Sequence, residues 1–381
     1  MRMLLLADMH IGAIKDTNYY YTSITNIIDK EVVFKPCDVV VILGDYFDRL
    51  FKVNEEYVSL AINIMSYLVR VCIKSKTKIR IVYGTESHEM NQYRLFNHFL
   101  TSSAIDMKLF TTCTEEKIGK SNILYVSEEY IGNKYEFYKK TIYGGKKYDY
   151  IFGHGVITEG MPAIISRNRE SDAINTENKV PHFSAGDLSK AGKLVVFGHY
   201  HKAWDMDNVH YLGSLYRWCF GEEEPKRYGI IEDGRLEFVV NNDAYEYKTY
   251  EYNEDSNVYT SSDDIMNEIA RIKEENQPIF SGEKVGRIRL IFHTPANVDP
   301  TFKENLKSLL FNDKIISSMI KESLEEVVTE DETVEEDEFD FILDNSMKIN
   351  DKIYNYILKT YDDCQMSLKE LEKYINEPLS L

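Results

Sequence analysis

Residues 39–48, Val39-Val40-Val41-Ile42-Leu43-Gly44-Asp45-Tyr46-Phe47-Asp48, constrain the fold more than any other stretch. A run of apolar, mostly β-branched residues stops abruptly at Gly-Asp. Such a run reads as a buried strand whose tip delivers a carboxylate into a cleft. A single Gly-Asp at a strand tip would more simply cap the next helix. Here the pattern recurs. Apolar runs also end at Asp8-Met9-His10-Ile11-Gly12, at Gly84-Thr85-Glu86-Ser87-His88-Glu89, at Gly153-His154-Gly155 and at Gly198-His199-Tyr200-His201.

The spacing of these runs predicts an α/β chain. Residues 3–7 read as a strand, 17–31 as a helix, 39–43 as a strand, 54–74 as a helix and 78–83 as a strand. Shorter, aromatic-rich strands follow at 123–126 and 135–143. Residues 157–192 read as a polar excursion over the surface. A strand pair at 228–231 and 236–240 turns at Glu232-Asp233-Gly234. Beyond about 245 the texture changes to helices at 263–274 and 300–310 around one clear strand, 287–292. Four segments result. They are a main domain over 1–244, a small α+β domain over 245–321, an acidic linker over 322–344 and an amphipathic helical tail over 345–381.

Composition narrows the class. The chain has 381 residues, 43% hydrophobic and 28% charged, which is the balance of a soluble globular protein. No run of residues approaches the ~18 consecutive apolar positions of a membrane span. Met1–Ala7 is too short for a signal peptide and is followed at once by Asp8 and His10, so it reads as a first strand. The five cysteines are scattered, odd in number and without CxxC spacing. They support neither a disulfide framework nor a zinc knuckle, and a reducing cytoplasm is expected. The net charge of −18 argues against strong unaided binding to nucleic acid. It leaves room for a nucleic acid reached through metals, a local basic patch or a partner.

The strand-end residues Asp8, His10, Asp45, His88, His154, His199 and His201 carry the chemistry. In an α/β sheet such ends converge on one edge, where sites form. Imidazoles and carboxylates suit Mn²⁺, Fe²⁺ or Zn²⁺. Alternate residues of a strand point the same way, which would let D-x-H and H-x-H each aim two ligands together. Any one of these histidines alone reads as a hydrogen-bonded histidine, and His98 and His182 carry no more than that. The joint order of all five motifs points to a two-metal site.

That order resembles the calcineurin-type metallophosphoesterases. More narrowly, the chain is similar to the SbcD-type nuclease subunits of double-strand-break repair complexes, including the recombination endonuclease subunits of bacteriophages. The narrower resemblance rests on Asp8-Met9-His10-Ile11-Gly12, Gly44-Asp45-Tyr46-Phe47-Asp48 and Gly198-His199-Tyr200-His201-Lys202. It rests also on Tyr211-Leu212-Gly213-Ser214 followed by Phe220-Gly221-Glu222. It covers about residues 1–240.

The resemblance implies a four-layer αββα sandwich and the following roles. Asp8, His10 and His201 hold one divalent ion, His154 and His199 the second, and Asp45 bridges. Asp48 supports a ligand without being one. His88 matches the histidine of the family's GNHD motif and would protonate the leaving oxygen or stabilise charge on the phosphate. The asparagine of that motif, a ligand of the second ion, is missing. Ser87 precedes His88 in its place, so Ser87, an inward-swinging Glu86 or water would fill the position. Mn²⁺ is the first expectation, with Mg²⁺, Fe²⁺ and Zn²⁺ as alternatives.

DNA is the implied substrate, in recombination and repair. The implied partner is an SbcC-type coiled-coil ATPase gripped by the tail, with a homodimer, no membrane, and the host cytoplasm if the chain is phage-encoded. Arg217 is a candidate for substrate binding. Lys139, Lys140, Lys146 and Lys147, interleaved with Tyr138, Tyr143 and Tyr148, could form a phosphate track with Arg167, Arg169, Lys226 and Arg227, or simply a solvated surface over strand aromatics. Two rivals stand beside the nuclease: a metallophosphoesterase of small phosphodiesters or phosphoproteins, and a binding subunit with degraded catalysis.

Overall fold

In the computed structural model the strands of the first half end level with one another. The structure describes residues 1–161, 180–253, 262–294 and 315–322, with Leu306 and Leu310. β1 (Arg2–Leu6), β2 (Val39–Leu43), β3 (Lys78–Val82) and β4 (Met107–Phe110) run parallel. Leu6 lies beside Ile42, and Leu43 beside Val82, so the residues after each strand emerge at one edge.

A second sheet is built on the same plan. Its strands are β5 (Thr114–Ile118), β6 (Ser121–Val126), β7 (Tyr148–His154), β10 (Gly192–Gly198), β11 (Trp204–Met206) and β12 (Val209–Tyr211). The order β11-β12-β10-β7-β6-β5 has four parallel strands at its centre and an antiparallel strand at each edge. Between β7 and β10 lies a small separate pair, β8 (Val156–Ile157) and β9 (His182–Phe183). The chain then returns to the first sheet, where the hairpin β13 (Arg227–Glu232) and β14 (Arg235–Val240) adds to β1.

Three cores separate four layers. Met3, Leu5, Val39 and Val41 meet Tyr125, Phe152 and Val196 between the sheets. Leu4, Val40 and Ile42 turn the other way, onto helices α1 (Thr17–Ile28) and α2 (Glu56–Ser75). Leu124, Ile151 and Val195 face the helix Ala185–Ala191 on the far side of the second sheet. The period-2 alternation along each strand sends successive side chains to different cores, which is why all residues of β2 are buried. The fold is therefore the αββα sandwich.

Asp16 caps α1 by accepting from Tyr19 N–H, and Tyr20, Ile24, Ile27 and Ile28 form its buried side. By length and composition α2 could cross a membrane. Its apolar side, from Leu60 and Ile64 through Leu68 to Cys72, is instead buried in the protein core. Where a strand was expected over 135–143, the chain makes a short helix, Lys134–Phe137, whose start is fixed by Asn133 accepting from Tyr135 and Glu136 N–H. The local cap outweighs the aromatic β preference.

Past residue 245, β15 (Glu246–Tyr252), β16 (Gly286–Thr294) and β17 (Ile316–Glu322) form a small three-stranded sheet that is parallel throughout, with the helix Ser262–Glu275 packed on it. Ile265, Ile269 and Ile272 pack onto Ile288, Leu290 and Phe292. Two of its strands carry no distinctive sequence signal of their own. Met1–Ser323 form one unit of the chain and Leu324–Leu381 another. The acidic linker and the helical tail expected over 322–344 and 345–381, apart from Glu322, and most of the helix expected over 300–310, lie outside the described residues.

Candidate metal centre

The loops after β1 and β2 run side by side. His10 N–H donates to the Asp45 carbonyl at 2.9 Å, Ile11 N–H to Tyr46 O at 2.9 Å, and Asp48 N–H to Ile11 O at 3.1 Å. This pairing sets Asp8-x-His10 against Asp45. The alternating strand geometry expected for D-x-H is not how the ligands are aimed. β1 stops at Leu6, and Asp8 (φ 46°), His10 (φ 43°) and Asp45 (φ 46°) all take left-handed backbone, as does His199 (φ 112°) beyond β10. Asp and His tolerate that region better than branched residues, and such conformations concentrate at functional sites.

Two glycines let the sheets converge. A Cβ on Gly44 (φ 77°) would lie 2.2 Å from His154 Nδ1, and one on Gly198 would lie 2.3 Å from the Leu43 carbonyl oxygen. Each strand end is therefore pressed against a strand end of the other sheet. The resulting site draws on both. Asp8, His10, Asp45 and His88 come from the first sheet, and Glu128, His154, His199 and His201 from the second.

Four overlapping sets of donor atoms within 4.8 Å of one another result: Asp8, His10 and His201; His10, Asp45 and His88; Asp8, Asp45 and His154; Glu128, His154 and His199. Asp8 Oδ2 and His10 Nε2 are buried without a hydrogen-bond partner, atoms whose lone pairs a cation would satisfy. His10 Nε2 lies 3.4 Å from Asp45 Oδ2, as does His154 Nε2. The donor set therefore fits divalent ions.

Hydrogen bonds aim the rings. His154 Nδ1–H donates to the Leu43 carbonyl at 2.8 Å, since a carbonyl can only accept, and Nε2 is thereby turned inward. His201 Nδ1–H donates to Glu222 Oε1 at 3.1 Å, which sets its Nε2 in the same way. Asp48 Oδ1 sits 3.5 Å from His10 Nδ1. His88 Nδ1–H donates to the Asp48 carbonyl, leaving Nε2 open, and the His88 ring packs edge-on to His10 at 4.7 Å. The Trp218 indole lies against His10 and His201, with centroids 4.4 and 4.2 Å away.

Neighbouring charges outweigh burial at most of these groups. Burial alone would lower His154, but Asp45, Asp8 and Glu128 raise it to about 10. In the same way Asp45 and Asp48 overcome burial and raise His10 to about 9. Burial pushes the Asp8 carboxyl up. Asp45 would also be raised by burial, but His154 and His10 hold it well below the usual carboxylate range. Glu128 is likewise lowered against burial by His199 and His154.

Several sequence expectations need correction. Ser87 is exposed in the first turn of α3 (Glu86–Glu89). Thr85, the residue directly after Gly84, puts its hydroxyl among the donors, and its N–H donates to Asp45 Oδ1 at 2.7 Å. Glu86 points elsewhere, accepting from Tyr83 Oη at 2.8 Å. Arg217 donates to the carbonyls of Glu224 and Tyr245, at 3.0 and 3.3 Å, and so ties the loop after β12 to the start of β15. Tyr138 and Tyr148 are core residues and cannot stack on a base. Lys146 is paired with Glu115, Lys226 is buried against Glu224, and Arg227 pairs with Asp205. Arg167 and Arg169 lie outside the described residues.

The residues missed are Glu128, Thr85, Trp218 and, as a support for His201, Glu222. Glu128 does follow a strand, Ile123-Leu124-Tyr125-Val126, at the spacing that Asp8 follows its own. That signal was present, but no glycine flanks it.

A cleft of about 660 Å³ opens on His199, His201, Trp204 and Glu222, and another of about 630 Å³ on Glu128, Tyr83 and Tyr130. The family model for calcineurin-like phosphoesterases matches residues 1–203. Among solved structures the chain is similar to TT1561 of Thermus thermophilus, at 13% identity and a TM-score of 0.35, covering 63% of this chain and 99% of that one. A second solved chain has 11% identity and a TM-score of 0.38, with the same coverage. No curated protein matches the chain.

Proposed function

The chain belongs to the calcineurin-like phosphoesterases, metal-dependent hydrolases of phosphoesters, and on that premise we propose that its substrate is DNA and that it acts as an SbcD-type nuclease subunit in recombination and repair. One observation carries this reading. The Gly213-Ser214…Phe220-Gly221-Glu222 segment, similar to that of the nuclease branch, serves the site and the small domain together. Glu222 holds His201, while Phe220 packs on Tyr247 of β15, with centroids 4.9 Å apart. A small-molecule esterase has no need to couple its ligand sphere to an added domain.

Asp8, His10 and His201 would hold one ion and His154 and His199 the other, with Asp45 between. Two divalent ions there supply charge neutralisation and a clamp on the oxygens of an in-line displacement; Mn²⁺ is proposed, with Mg²⁺, Fe²⁺ and Zn²⁺ as alternatives. His88, with Nδ1–H committed to the Asp48 carbonyl, keeps Nε2 free and would give a proton to the departing sugar oxygen. Trp218 packs on the His201 ring and Glu222 accepts from its Nδ1–H, which together fix its orientation at the cleft.

The test is cleavage of end-labelled single- and double-stranded DNA with Mn²⁺, Mg²⁺ or EDTA, beside a generic phosphodiester dye. Wild type, Asp45→Asn and His88→Ala are compared. Metal-dependent DNA cleavage, abolished in Asp45→Asn and reduced about 10²–10⁴-fold in His88→Ala, is expected. Dye hydrolysis without DNA cleavage, alone and with the ATPase, would move the substrate to small phosphodiesters. That outcome has support in the −18 net charge and in the paired state of Lys146, Lys226 and Arg227. The proposed homodimer and the docking of residues 345–381 on an SbcC-type ATPase rest on the resemblance and on the acidic stretch before the tail. Deleting 345–381 should abolish ATPase co-purification and leave dye hydrolysis; binding that survives the deletion counts against the docking role.

A further inference from the structure

The family resemblance leaves the second cation position one ligand short, because its asparagine is missing. Four donor atoms surround one hydroxyl at that place. Thr85 Oγ1 lies 3.1 Å from Glu128 Oε2, 3.3 Å from His154 Nε2, and 3.4 Å from both His199 Nδ1 and Asp45 Oδ2. Neighbours around the ring are close as well. Asp45 to His154 is 3.4 Å, His154 to Glu128 is 3.6 Å and Glu128 to His199 is 3.3 Å. Donors ~2.0–2.2 Å from one ion and near right angles to each other stand roughly 3 Å apart. The observed spacings are slightly wider than that, so a small inward movement would bring all five onto one cation.

A support role for Glu128 would look different. Glu222 shows what support means here: it meets His201 alone among the donors. Glu128 instead touches two histidines and the hydroxyl together, and His154 offers it the ring nitrogen that its bond to Leu43 leaves free. Glu128 is 7% exposed, and the Thr85 hydroxyl, His154 and His199 are the polar partners around its inward oxygen.

We propose that Glu128 and Thr85 together replace the family's asparagine as ligands of the second cation, a carboxylate and a hydroxyl in place of one neutral amide. The inference rests on the metallophosphoesterase reading and adds to it two ligands and a charge. With Asp45 the position then holds two carboxylates, one hydroxyl and two imidazoles. The extra negative charge strengthens cation retention, and the oxygen-rich set favours Mn²⁺ or Mg²⁺ over softer ions.

Titrating Mn²⁺ into chelator-stripped full-length protein, followed by the EPR signal of free Mn²⁺, tests this directly. Wild type should take up two ions. Glu128→Gln should weaken one of them by at least about the 10–100-fold that loss of a supporting partner causes, and leave the other unchanged. Thr85→Val, which keeps the N–H to Asp45 and the side-chain shape, should weaken the same ion by less. Glu129→Gln, which changes the neighbouring carboxylate only, should titrate as wild type. Two ions bound with wild-type affinity in both Glu128→Gln and Thr85→Val would overturn the assignment and leave the phosphoesterase reading standing. A wild type that binds no ion would overturn both. Thermal unfolding of each stripped variant shows whether it is folded, and Thr85→Val decides the matter if Glu128→Gln is not.

Discussion

Glu89 is wholly buried close to Asp45 and Tyr93, with Oε1 accepting from Tyr46 N–H at 2.7 Å. Burial, and after it the Asp45 charge, raises its carboxyl to about 8. The folded protein therefore keeps a proton that the unfolded chain releases near 4.5. Stability contributed by this group is full below about pH 4.5 and declines as the pH rises to about 8, at up to about 1.4 kcal/mol per unit. Glu89→Gln keeps an acceptor for Tyr46 and cannot ionise. Its stability relative to wild type, from urea midpoints at pH 5 and pH 8, should rise across that interval. A difference that does not change with pH would show that Glu89 ionises as freely in the fold as outside it.

At the scale of elements, the strand ends do the positioning. Gly44 is where the first sheet meets His154, and a methyl there cannot be absorbed by a flexible side chain. Gly44→Ala should lose roughly 1–3 kcal/mol from overpacking, with further strain from its left-handed φ, and should bind metal more weakly because His154 is displaced. A calorimetric melt and a metal titration of the same sample check both; a variant that melts as wild type would mean the loop re-forms at no cost.

These strand ends were also the most legible part of the sequence. Asp45, His88, His154 and His199 stand out because apolar runs stop beside glycine, and Asp8 because it ends an apolar run and opens a D-x-H pair; the structure explains the glycines at 44 and 198 by the approach of the other sheet. Glu128 stands outside the pattern because its strand ends at Val126 and Ser127 follows, with neither a glycine nor a D-x-H pair to mark it. Ser87 was placed in the centre by its position before His88. The turn into α3 decides the matter otherwise: Thr85 precedes the helix with its hydroxyl turned toward Glu128 and His154, and Ser87 lies exposed in the first turn. The lysine-tyrosine stretch over 138–148 misled in the same way. Tyr138 and Tyr148 are buried and Tyr143 is half-buried, and sequence alone does not say which face is the interior.

At the scale of the molecule, each sheet by itself contains an incomplete site. The first contributes Asp8, His10, Asp45 and His88, the second Glu128, His154, His199 and His201, and the apolar layer between Met3, Val41, Tyr125 and Val196 holds the halves in register. Bound ions would therefore act as rivets through both plates of the sandwich. Chelation should loosen the seam before it loosens either plate. Deuterium uptake after EDTA treatment should rise first at Gly44–Asp48, Gly153–Gly155 and Gly198–His201, while α2 on the outer face exchanges as before. Uniform acceleration across the chain would mean that the ions stabilise the fold globally and fasten no particular joint. In the riveted case, holding the two halves together and holding the substrate's phosphate depend on the same few atoms, so a cell short of the metal would lose rigidity and activity at the same time.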